Sequence, residues 1–169
     1  VAHGQVAPAL RRLLVLGEYE VATNIVASRG AEAMIVDDGR VLDELVARGG
    51  AAIEDHPQSW AVIAWAMRRR GERARAVHWA ERLLAYDTAH PQNISPLQVA
   101  TVRLLLARLG THSATAAVEA ARTAIAEVGD TPQDESFLHL VRLELGVMEN
   151  WAGDLERAAE HLTDAVLGW

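Results

Sequence analysis

Apolar residues recur at helical spacing along most of the 169-residue chain, and single glycines and prolines interrupt them. The pattern predicts nine helices, over about 6–16, 18–29, 38–48, 57–70, 72–86, 96–109, 113–128, 132–151 and 154–167. Several starts are signposted. Ser95-Pro96-Leu97-Gln98 reads as a capping box with Pro at the first helical position, and Thr131-Pro132-Gln133-Asp134 has the same form. Pro57 opens a third helix after Asp55-His56. Each proline brings a φ already suited to a helix start and lacks only an N–H that has no partner there. The only β-like run, "AMIVDD", is too short to count as a strand. Connections are short except for 87–95, and short turns between helices force antiparallel neighbours. The chain therefore reads as a run of helical hairpins.

The glycine-led segments repeat. "GEYEVATNIVASRG" starts at Gly17, "GERARAVHWAERLLAYD" at Gly71 and "GDLERAAEHLTDAVLGW" at Gly153. Gly110 leads a fourth, with two extra residues in the turn. Ala22, Ala76 and Ala158 each follow their glycine by five positions, and Ala117 is their displaced counterpart. Glycine lets the chain leave one helix through a tight turn, and alanine permits close approach of the two helices it joins. Glu18, Glu72 and Asp154, right after the glycine, place negative charge at a helix N-terminus.

These residues resemble the tetratricopeptide (TPR) repeat. Within 57–87, Trp60 falls at the pattern's Trp, Gly71 at its turn, Ala76 at its close-contact Ala and Asp87 at its terminal acid; Thr88 replaces the usual Pro. Leu145-Gly146 matches the Leu-Gly pair of the last unit. The turn glycines are 54, 39 and 43 residues apart, against ~34 for a regular TPR. The resemblance implies an all-α fold of antiparallel hairpins stacked as a TPR-like right-handed superhelix. It would be one domain over 1–169, with units near 6–29, 57–87, 96–128 and 132–167 and an extra helix near 38–48.

Composition agrees with helices packed through small side chains: half the residues are hydrophobic and only 5% aromatic. The net charge of −7 argues against direct nucleic-acid binding. There is no cysteine, so disulfides and thiolate metal sites are excluded. No secretory leader and no apolar run long enough to span a membrane is visible, which points to a cytoplasmic protein with no membrane partner. The chain does not begin with Met and reads as a piece of something longer.

The order of segments is similar to the start of the helical-repeat region in large bacterial LuxR-type, MalT-like transcription regulators. "GRVLDELVARGG" (39–50) precedes a helix bearing Pro57, Trp60 and Trp65, then Gly71 and an Ala-rich helix; "LGVMENWAGDLERAAEHLTDAV" fits the family's later repeats. The resemblance implies a non-catalytic sensing and oligomerisation module for transcription regulation. It would lie between a nucleotide-binding ATPase and a helix-turn-helix. Neither the phosphate loop nor a basic recognition helix is in this sequence. Two rivals stand beside it: a TPR adaptor that binds a protein or peptide without a transcriptional role, and a catalytic helical domain.

Residues with chemistry are few. His3, His56, His78, His90, His112, His139 and His161 form no metal-ligand motif. Asp37-Asp38 and Asp134-Glu135 sit at expected helix starts, where capping explains them. No serine elbow is present, so no enzyme, cofactor or metal is expected. Trp60 and Trp79 read as core. In the TPR pattern, Trp65, Arg68, Arg69 and Arg108 fall at positions lining the concave groove, and Asn150 and Trp151 take the corresponding places in the last unit. An aromatic beside guanidiniums and an amide suits an anionic effector or a protein or peptide partner. A plainer reading makes Arg68-Arg69-Arg70 a basic C-terminal turn and packs Trp65 and Trp151 against neighbouring repeats. Trp169 would pack on a further repeat or mediate self-association.

Overall fold

The computed structural model describes residues 5–36, 40–128 and 132–167. Asp37, Asp38, Thr131, Trp169 and His3 lie outside them, as do the side chains of Asp134 and Glu135. Among the described residues there are ten α-helices, one 3-10 turn and no strand. The helices are α1 (Val6–Leu16), α2 (Tyr19–Val36), α3 (Arg40–Arg48), α4 (Gly50–Glu54), α5 (Trp60–Arg69), α6 (Arg73–Ala89), α7 (Pro96–Arg108), α8 (Ala114–Ala126), α9 (Pro132–Ala152) and α10 (Leu155–Leu167). The fold is all-α. No helix among the described residues is long and apolar enough to cross a membrane.

The same turn closes four hairpins. Gly17, Gly71, Gly110 and Gly153 all have φ between 72° and 84°, the left-handed region where a side chain is strained. In each case the next residue's N–H reaches back five residues: Glu18 to Leu13 O, Glu72 to Met67 O, Thr111 to Leu106 O and Asp154 to Glu149 O, all within 2.9–3.0 Å. This 6→1 bond satisfies a carbonyl that the helix end leaves open. In three of the turns the acid is the residue whose carbonyl starts the next helix: Glu18, Glu72 and Asp154 accept from Ala22, Ala76 and Ala158. Those alanines, with Ala117, are buried.

One expected helix end holds and two local expectations are corrected. The backbone breaks at Arg29 (φ −141°), where the second helix was expected to end, and a further helical segment follows to Val36, the two being counted together as α2. A Cβ on Gly30 would lie 2.8 Å from Val62 Cγ1, so this glycine marks where α2 and α5 come closest. Pro57–Ser59 is a 3-10 turn rather than the first turn of α5, and the Trp60 indole N–H that follows donates to Ile53 O of α4 at 2.7 Å. The box at Ser95 is half made. Ser95 Oγ accepts from Leu97 N at 3.3 Å, but Gln98 is buried and its Nε2 donates to Gln58 O at 2.6 Å, tying α7 to the 3-10 turn.

Trp60 and Trp79 pack as expected, with ring centroids 6.0 Å apart, and Tyr86 meets Trp60 edge-on. The Arg82 guanidinium lies 4.3 Å from the Trp60 centroid and pairs with Glu54 of α4. Each odd helix settles on the hairpin before it: α7 on α5 and α6, α9 on α7 and α8. One further contact is not part of that progression. α9 also packs against α2, and α2 against α5, so α2, α5, α7 and α9 close a ring.

The closest approach within the last hairpin is at Gly146, where a Cβ would stand 2.7 Å from Leu162 Cγ and 3.1 Å from Ala158 O. Because one neighbour is backbone, α10 must move to admit a methyl group. Gly146→Ala is expected to cost about 1–3 kcal/mol and lower Tm by roughly 3–10 °C. Differential scanning calorimetry reads this, and an unchanged Tm would remove the close-packing claim.

Candidate functional site

α5, α7 and α9 bring four of the six candidate residues to one place on the inner ring. Trp65 and Arg68 share a face of α5 at i,i+3 spacing, and the Arg68 Cζ lies 4.6 Å from the Trp65 ring centroid. Arg108 ends α7 and bonds to Glu144 of α9 through Nη1 and Oε2. The Arg108 Cζ also lies 5.1 Å from the centroid of Trp151, two turns beyond Glu144 on α9.

Trp65 is not a surface platform: it is only 3% exposed and belongs to the core. Its indole Nε1 is buried without a hydrogen-bond acceptor. The aromatic open to solvent is Trp151, at 62% exposure. Arg69 and Asn150 are exposed, and the charge of Arg69 acts on Arg68. Each follows or precedes a cluster residue by one position, which turns a helical side chain about 100° away from its neighbour.

Glu144 is the residue that sequence reasoning missed. It is 3% exposed and sits on the buried stripe of α9 between Val141 and Met148. Burial pushes its carboxyl above the ordinary range, and the hydrogen bond and charge of Arg108, with the charge of Arg68, pull it back only in part. Burial likewise draws Arg68 below the ordinary arginine value. Among the described residues the Arg68 guanidinium makes no hydrogen bond or ion pair, and the Arg108 Nε is buried without an acceptor. Two guanidiniums thus face one carboxylate, with donor N–H groups left over. Such an arrangement favours a second negative group, because charge-assisted pairs gain strength where water is excluded.

α9 carries another buried acid on a different face. Glu149, 2% exposed, accepts from Arg122 Nη2 of α8 at 2.9 Å and from His161 Nδ1 of α10 at 2.7 Å. The bond to Glu149 is the main reason that Arg122 is held above its ordinary value. Here each carboxylate oxygen takes one donor, so the trio clamps three helices, and Arg122 Nη1 also donates to Glu119 at 3.0 Å. Acids at apolar-stripe positions of "FLHLVRLELGVMEN" were the available signal for both glutamates. Among the described residues no group of three or more His, Asp or Glu could hold a metal ion.

Comparison with family models, curated proteins and solved structures finds no match to this chain.

The raised Glu144 carboxyl has a consequence for stability. Between the ordinary carboxyl range and its raised value, the folded chain keeps a proton that the unfolded chain has lost. Stability from this group is therefore full below the ordinary range and falls as pH rises through the window. Urea unfolding across weakly acidic pH is expected to show that slope, and Glu144→Gln to flatten it. An unchanged slope in the variant would show that Glu144 is not the group responsible.

Proposed function

We propose that this chain is a non-catalytic, TPR-like binding domain whose inner face takes an anionic group between Arg68 and Arg108. The observation that carries the reading is the imbalance of the cluster, two part-buried guanidiniums against the single carboxylate of Glu144. Arg68 would supply the free fork of donors. Arg108 would share itself between Glu144 and the ligand, and Trp151 would flank the mouth. The ligand class is a small effector or peptide bearing a carboxylate or phosphate.

The four-fold recurrence of the glycine turn and buried alanine supports the TPR-like part of this reading. Taken with the sequence resemblance, the domain would serve as the cytoplasmic sensing module of a bacterial MalT-like LuxR regulator. The ligand would shift the regulator by binding one of its states better than the other. The adaptor reading draws on a different observation: Trp151, Leu155, Val166 and Leu167 are large apolar residues exposed along the last hairpin, a surface suited to a partner protein or to self-association.

Inorganic phosphate tests the anion site. At fixed ionic strength, phosphate in place of chloride is expected to raise Tm by several degrees and to change Trp151 fluorescence. Arg68→Gln, which keeps the shape but removes the charge, is expected to abolish both effects. Equal responses in the variant and the parent chain would overturn the reading.

A further inference from the structure

A second candidate site lies away from the inner ring, between α6, α7 and α8. A cleft of about 760 Å³ opens where the 87–95 segment leaves α6 and joins α7. That volume is within the ordinary range for small-ligand sites. Its floor is apolar and built of small groups: Val99 and Ala100 from α7, Ala120 and Ala124 from α8. Gln92 on its rim has φ 77°, the only non-glycine residue with positive φ among the described residues. A backbone held in that region costs of order 1 kcal/mol and is retained where the surroundings fix it.

The charges lining the cleft are sorted by position. Asp87 lies in the last turn of α6, and Glu127 closes the C-terminus of α8. α7 and α8 run antiparallel, so both acids stand near Pro96, at the start of α7. Arg103 lies seven residues further along α7, which is roughly 10 Å of helix. Among the described residues the side chains of Asp87, Glu127 and Arg103 make no hydrogen bond or ion pair. The cleft thus offers two acids at one end, a guanidinium at the other and an apolar bed between them.

We propose that this cleft binds a short peptide by its two free termini. The ammonium lies between Asp87 and Glu127, the carboxylate meets Arg103, and an apolar side chain rests on Val99 and Ala120. A tripeptide in extended form spans about 10 Å, which matches the rise along α7 from Pro96 to Arg103. A shorter peptide cannot reach both ends, and a longer one must bow out of the cleft. The site is independent of the inner-ring cluster.

Isothermal titration calorimetry with Ala-Leu-Ala tests it on the whole chain. Free tripeptide is expected to bind with a dissociation constant of about 1 mM or tighter. N-acetylation or C-amidation is each expected to weaken binding about tenfold or more. Arg103→Gln should erase the penalty for amidation and keep the penalty for acetylation; the pair Asp87→Asn with Glu127→Gln should do the reverse. Arg68→Gln should leave all of these affinities unchanged, so failure here is separate from failure of the anion site. No binding at millimolar peptide, or equal affinity for free and doubly blocked tripeptides, overturns the proposal.

Discussion

The contact on which the inner face depends is the buried pair of Arg108 and Glu144, one charge from α7 and one from α9. Neither partner has enough water to be stable alone, so each fixes the position of the other. The pair ties α9 to α7, and α9 in turn packs against α2 in the ring. The same pair leaves the half-buried Arg68 facing a carboxylate already engaged. The candidate binding property is a by-product of this structural bond: the same carboxylate that locks two helices is one negative charge too few for the cations around it.

α9 is the helix on which most of the molecule converges. Its inner face carries Glu144 and packs on α7 and α2, Gly146 lets α10 lie close, and Glu149 draws in Arg122 from α8 and His161 from α10. The two glutamates differ in what they leave over. Glu149 takes a donor on each oxygen, from Arg122 and His161, whereas Glu144 takes one, from Arg108, with the charge of Arg68 beside it. The first reads as a clamp and the second as part of a site, and the difference lies in the neighbouring cation that makes no hydrogen bond rather than in burial, which is nearly equal.

The frame was legible in the sequence wherever it is governed by local rules. Gly17, Gly71, Gly110 and Gly153 announce left-handed turns because no other residue takes that conformation without strain. The alanines five residues on, or displaced by the longer turn, mark close approach. Trp60 and Trp79 declared themselves as core by their place in the pattern. What the sequence hid depends on distant partners. The close approach of Val62 to Gly30 and the diversion of Gln98 both depend on partners far along the chain, the latter on an acceptor forty residues away. For the site, the spacing grouped six residues, of which Trp65, Arg68, Arg108 and Trp151 lie together in the structure. It could not say that Trp65 turns inward, because a helix with apolar residues all round gives no unique buried face. It also passed over Glu144, since an acid on an apolar stripe acquires meaning only once Arg108 is known to stand opposite.

A double-mutant cycle on Arg108 and Glu144 tests the central claim most directly. The stability of the parent chain, Arg108→Met, Glu144→Leu and the double variant is measured by urea unfolding. If the pair is the buried tie described here, each single variant strands a charge and costs about 3 kcal/mol or more, while the double variant recovers much of that loss. The coupling then lies between roughly 1.5 and 3 kcal/mol. A coupling under about 0.5 kcal/mol, with single effects of surface size, would contradict it.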